Sequence, residues 1–347
     1  MNLDDLDYSY PSELVATEPQ RPSRVLMVEN CRREDFYSHE LSIPELLDRF
    51  KEGDLLLIND TKVNKRRVYS DSDLEILFIE EVDEHNWYVL FPAKKVDVGD
   101  LIRLPDGVEL RLKEKGLPQK VWVSKKLNES YFENYGEFAL PPYIQKARGD
   151  RKNKLQDQYW YQTQWANKSG STAAPTASLH FSQNHIQKLR EKGVNIQNVT
   201  LHVGLGTFLP IRESDLSKHQ MHSEYVEISK ETIQAIIAAK RNAKTVWALG
   251  TTTTRAVESW AKNLLHLKED GSFFGLTNLF ITPEFVFEVV DVLMTNFHQP
   301  RSTLLALVAS FSNLEATLKV YQEAIRKDFR LFSYGDLSVW ARKDLRK

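Results

Sequence analysis

Cysteine is almost missing from this sequence, with Cys31 the single example in 347 residues. One thiol can form no internal disulfide and no cysteine zinc site, and it fits a reducing compartment, so the cytoplasm is expected. Long apolar runs are missing as well. The stretch "LLALVASF" is too short to span a bilayer, and the acidic "MNLDDLDYSYPSELVATEPQ" lacks the apolar core of an export signal. No sign of charge dominates: a net charge of −2 excludes a uniformly basic surface, so any nucleic-acid partner must be held by local clusters. Nucleotide fingerprints are incomplete. The "GLG" of "HVGLGTF" has no third glycine opening a helix, and no Gly-Lys-Ser/Thr loop occurs.

What is present is ordinary globular material, with 41% apolar and 27% charged residues, enough for one large domain or two sharing an interface. Short segments rich in β-branched and aromatic residues crowd residues 54 to 137, among them "LEILFIEEV", "NWYVLFPA", "VELRLKEKG" and "KVWVSKKL", separated by Gly, Asp and Pro. They predict a small antiparallel β module. Elsewhere strands alternate with helices, which argues for a parallel sheet, open or closed into a barrel. Ser182 is expected to cap one helix and Gly193 to stop it; Ser-x-x-Glu boxes at Ser42 and Ser312 open two more. Since helical patterns flank the β module on both sides, it is expected as an insertion. Residues 63–138 would form it, within an α/β domain of residues 1–62 and 139–347.

Four segments share one pattern, a strand that runs into a polar knot and then a helix. "VTLHVGLGTF" runs into Gly204, Gly206 and Thr207, and "TVWALGTTTTRAVESW" into Thr251 and Thr252, with Arg255 and Glu258 on the helix beyond. "DVLMTNFHQPRSTLLAL" runs into Asn296 and His298, and "GSTAAPTASLHF" carries Thr176 and His180. In an α/β fold the loops after parallel strands meet on one rim, where ligands bind. His180, His202, His222 and His298 are therefore expected to line one pocket with Glu224, Arg255 and Asn296, histidine being the side chain that changes charge near neutral pH. Each is also open to a duller role as a hydrogen-bonded core residue. His219, His222 and Glu224 in "HQMHSEY" could instead offer a metal site on a hydrolase, although the spacing is not a standard one.

Taken together, "ALPPYI", "YQT", "AAPTASLHF", "VTLHVGLGTF", "MHSEY", "GTTTTRAVES", "TNFHQPRSTL" and "FRLFSYGD", with "GDLLLINDTKV" upstream, closely resemble the S-adenosylmethionine:tRNA ribosyltransferase-isomerases of queuosine biosynthesis. The resemblance covers nearly the whole chain. It implies a distorted α/β barrel-like main domain interrupted by a small antiparallel β-barrel. It also implies a reaction in which the ribosyl part of S-adenosylmethionine passes to the aminomethyl group of a 7-deazaguanine at the tRNA wobble position, giving epoxyqueuosine and releasing adenine and methionine. S-adenosylmethionine is then a consumed co-substrate, no prosthetic group or metal is needed, and the partner is a tRNA with a GUN-type anticodon, bound by a monomer. The sulfonium acidifies the neighbouring C5′ protons, so a base in a closed pocket is the first demand.

On this reading the catalytic candidates are His202, His222, Glu224, His180 and His298, with His202 or His222 favoured as base. Thr176, Gly204, Gly206, Thr207, Thr251, Thr252, Arg255, Glu258 and Asn296 would bind substrate. Lys62, Lys65, Arg66 and Arg67 of "KVNKRR" would grip tRNA phosphates, while "KARGDRKNK" (146 to 154) and the terminal "RKDLRK" read as solvated segments. The chain departs from the family pattern at Lys62 and Trp160, where arginine is usual, and at Ser178, where glycine is usual. A catalytically silent or substrate-shifted RNA-binding paralogue is the alternative.

Overall fold

The computed structural model describes the chain except residues 1, 205–212, 214, 220 and 346–347. The main body is mixed α/β. Its ten-stranded sheet is centred on four mutually parallel strands in the order Asn195–Leu201, Leu55–Asn59, Val246–Leu249 and Val292–Asn296. Their sequences are near-continuous apolar runs because both sheet faces are covered. Alternate side chains serve different cores: Leu55 and Leu57 pack into one cluster with Ala248 and Leu293, whereas Leu56 and Ile58 join Trp247, Leu249 and Met294 in a second. The parallel arrangement does not extend to the flanks. Leu337–Ala341 runs antiparallel to Val292–Asn296 before Val25–Glu29 pairs with it in parallel, and Glu224–Ile228 runs antiparallel to Asn195–Leu201. That last pair is joined with no α-helix among the described residues, and a parallel pairing would have needed such a crossover.

Helix boundaries follow local chemistry. Ser42 and Glu45 complete a reciprocal box at the start of Ile43–Asp48, and Ser182 caps Gln183–Glu191, after which Gly193 takes φ +81°. The expected box at Ser312 is corrected. Asn313 caps Leu314–Arg326, its side chain accepting from the Ala316 amide at 2.8 Å, and Ser312 instead ends the preceding helix Thr303–Phe311, its hydroxyl donating to the Val308 carbonyl at 3.2 Å. Among the described residues no single helix is long and apolar enough to cross a membrane.

The second unit is a six-stranded antiparallel sheet running from Arg67 to Val123, with Phe78, Trp87, Val121 and Phe132 in its core. The Asp71 amide donates to the Arg103 carbonyl at 3.0 Å, bringing the two edge strands together into a nearly closed barrel. α/β with a small antiparallel barrel is thus the class of the fold.

Candidate active site

The four parallel strands end on one side of the main body, and a cavity of about 540 Å³ lies there. Its walls bring together Thr176, His222, Glu224, Thr251, Thr252, Arg255, Asn296 and His298. The convergence follows from topology: Asn296 ends its strand there, Thr251 and Thr252 open the helix that follows another, and Glu224 begins a strand that runs antiparallel to the parallel set. Gly250 takes φ +97° where Val246–Leu249 turns into the helix Thr251–Ala261, a conformation that favours glycine. The first turn of that helix and that of Thr303–Phe311 both reach the cavity, so two electropositive helix ends face it.

Glu224 and Arg255 form the charged centre, each 5% exposed. Arg255 Nη1 is paired with Glu224 Oε2, the other carboxylate oxygen accepts the Gly204 amide at 3.1 Å, and Arg255 Nε donates to the Leu279 carbonyl at 3.2 Å. Arg255 Nη2 is buried without a hydrogen-bond partner among the described residues, a donor left for a ligand. This pairing also bears on the metal alternative. Glu224 is engaged by two donors, and among the described residues no cluster of three His, Cys, Asp or Glu side chains is arranged to hold a metal.

Beside the pair runs a buried polar chain. Thr176 Oγ1 donates to Asn296 Oδ1 at 2.9 Å, and Asn296 Nδ2 donates to the Phe332 carbonyl at 3.1 Å and to His180 Nε2 at 3.0 Å. His180 Nδ1 is then left to donate to Ser23 Oγ at 2.7 Å. Burial, and next to it the Arg21 guanidinium, hold His180 well below the usual histidine range, so it is a neutral anchor behind Asn296 and does not line the cavity. His298 lines the cavity, but burial pushes its pKa down to about 3, and its Nε2 lies 2.8 Å from Thr295 Oγ1.

Other expected positions fall elsewhere. His202 is not in the cavity wall: strand alternation sends Leu201 and Val203 to the core and cavity side and turns His202 to the opposite face. There it stacks on Tyr225 with ring centroids 5.6 Å apart and meets Thr61 Oγ1 at 2.7 Å, and burial lowers its pKa. Glu258 is also corrected. Its carboxylate is fully buried, accepting the amides of Glu288, Val289 and Val290 at 2.9–3.0 Å, and it caps a loop without facing the cavity. Gly204 acts through its amide on Glu224, while Gly206 and Thr207 lie outside the described residues.

For Lys65, Arg66 and Arg67 of "KVNKRR" the expectation of free phosphate contacts is corrected. Arg67 is 1% exposed, bonded to Glu137 at 3.0 Å and to Asn153. Arg66 is paired with Glu129 and stacks over Phe132 at 4.2 Å, and Lys65 is paired with Glu133 at 2.9 Å. These cations tie the barrel to the helix Glu129–Tyr135 and to the chain returning from it; Lys62 alone of the four is exposed. Sequence reading missed Tyr143, Tyr161, Phe332 and Met221 in the cavity wall and weighed His219, which also lines it, only as a metal ligand. All of them stood inside quoted motifs, and for the three rings the signal available was the run of aromatics in "LPPYI", "YQT" and "RLFSYGD".

A family model described as queuosine biosynthesis protein matches residues 3–339. The chain belongs to that family. It is 38% identical over 345 residues to an S-adenosylmethionine:tRNA ribosyltransferase-isomerase of Sulfurihydrogenibium sp. (strain YO3AOP1), covering 97% of this chain and 98% of that one. Similar enzymes of Geotalea uraniireducens (strain Rf4) and Aquifex aeolicus (strain VF5) are 40% and 39% identical over the same shares of each chain. The crystal structure of an S-adenosylmethionine tRNA ribosyltransferase from Thermotoga maritima matches with a TM-score of 0.54 and 29% identity, over 97% of this chain and 99% of that one.

Proposed function

We propose that this family member transfers the ribosyl moiety of S-adenosylmethionine to 7-aminomethyl-7-deazaguanine at the wobble position of a GUN-anticodon tRNA. Isomerisation gives epoxyqueuosine, with release of adenine and methionine. The observation that carries the reading is the cavity itself: a volume within the usual range for small-molecule sites, with a buried Glu224–Arg255 pair, a spare Arg255 donor and aromatic walls. Tyr143, Tyr161 and Phe332 offer π-faces to an adenine ring and to a sulfonium cation. Arg255 Nη2 suits a carboxylate or ribose oxygen.

His222 is the histidine best suited to take a C5′ proton, being exposed at the cavity, whereas His298 is buried. His180 positions Asn296. The second unit, residues 63–138, acts as an inserted domain, and the protein works in the cytoplasm as a monomer with S-adenosylmethionine as consumed co-substrate. The test is incubation with S-adenosylmethionine and tRNA bearing the aminomethyl-deazaguanine, followed by nucleoside mass spectrometry. Epoxyqueuosine with stoichiometric adenine is expected, and folded protein yielding neither would refute the reading.

A further inference from the structure

With Lys65, Arg66 and Arg67 occupied in holding the barrel, RNA needs a further surface to grip. The segment 145–160 leaves the cavity wall at Tyr143 and re-enters it at Tyr161, so it forms part of the rim. Between those points stand Leu155 and Tyr159, 84% and 76% exposed, the largest exposures among the described large apolar side chains. Around them Lys146, Arg151, Lys152 and Lys154 are exposed. We propose that this rim is the docking surface for the single-stranded loop of the RNA substrate: Tyr159 stacks a base next to the one in the cavity, and the lysines and Arg151 follow its phosphates. The inference rests on the proposed tRNA substrate and names the surface that holds it.

The segment is rigid where it needs to be. Arg148 and Asp157 form a buried bidentate pair at 2.6 and 2.8 Å, and Tyr334 adds a 3.1 Å bond to Asp157. Tyr69 donates to the Arg151 carbonyl at 3.1 Å, and the Asn153 amide donates to Glu137 at 2.9 Å, fastening the rim to the barrel. The exposed cations face three carboxylates: Asp73 lies 2.8 Å from Arg151 and 3.3 Å from Lys152, Glu18 lies 3.8 Å from Lys154, and Asp150 accepts the Lys152 amide. Pairs this exposed hold weakly, so phosphates can take over their cations. A solvated loop explains the charges but not an exposed tyrosine and leucine on a braced backbone, whereas aromatic platforms among cations are how single strands are held.

The test measures binding of a labelled anticodon-arm hairpin RNA to the full chain across a salt series, with S-adenosylmethionine affinity measured in parallel. Tyr159→Ala should weaken RNA binding by roughly 5- to 100-fold with an unchanged salt slope. Lys146→Ala with Lys154→Ala should lower the log–log slope by about 0.7 per lost contact. Both variants should bind S-adenosylmethionine like the parent. If the parent binds and modifies tRNA while both variants match it, the docking surface is wrong and the function stands. If the parent binds no RNA, both fall. If Tyr159→Ala spares RNA affinity but abolishes a concentration-dependent dimer seen by sedimentation, the patch is a protein contact and the proposal is overturned.

Discussion

Replacing Arg255 by Met keeps the volume and removes the charge, leaving Glu224, 5% exposed, with the Gly204 amide as its remaining donor. Breaking a buried pair in this way costs about 3–5 kcal/mol, and the Leu279 carbonyl loses its donor as well. Glu224→Gln strands the opposite charge but keeps an acceptor for Arg255 and Gly204, so its cost should lie at the lower end of that range, ~3 kcal/mol. In the double variant neither charge is left uncompensated. Its loss should be no larger than that of either single variant, giving a coupling of at least about 3 kcal/mol in a double-mutant cycle. Denaturant midpoints of the four proteins measure this, while calorimetry follows S-adenosylmethionine, whose binding should be lost in every variant lacking Arg255. Additive losses, or full affinity without Arg255, would refute the role given to the pair.

His298 should make stability depend on pH. Its folded pKa of about 3 lies below the unfolded value, so the unfolded chain binds the extra proton and stability falls as pH drops from about 6.5 towards 3, by up to about 1.4 kcal/mol per unit. Against pH, the stability of His298→Asn should fall less steeply by that amount between pH 6 and 4; parallel curves would contradict the buried neutral ring. Glu258→Ala strands three buried amides, each worth about 1–3 kcal/mol, and should lower the melting temperature sharply. An unchanged melting temperature with weakened S-adenosylmethionine binding would return Glu258 to the substrate. Arg67→Ala should destabilise the fold by about 3 kcal/mol, low in the range because Glu137 is partly exposed. Parental stability with a reduced RNA salt slope would restore Arg67 as a phosphate contact.

The polar knots could be read because strand-end loops of an α/β sheet must converge, and a linear sequence marks strand ends well. Thr251, Asn296 and His298 accordingly meet in the cavity wall. Direction was harder. His202 sits one residue from Val203 yet faces away from the cavity, a consequence of period-two alternation that the motif alone hides. Partnership was hidden altogether. Arg66 and Arg67 look like free cations until residues 129 and 137, more than sixty positions later, fold back onto them, and Glu258 meets its amides only where the chain at 288–290 returns. The aromatic walls were passed over because Tyr143, Tyr161 and Phe332 come from three separate segments, none of which is a knot by itself.

On the proposed reading the cavity carries the ribosyl transfer, with His222 at the reacting carbon. This is tested most directly by adenine release from S-adenosylmethionine in the presence of substrate tRNA, compared among the parent, His222→Gln and His202→Gln, with S-adenosylmethionine affinity measured for each. Release should fall by at least 100-fold in His222→Gln with affinity retained, on the scale of general acid–base catalysis, and stay near the parent rate in His202→Gln. Full release in His222→Gln together with loss in His202→Gln would contradict it, moving the chemistry to the opposite face of the strand.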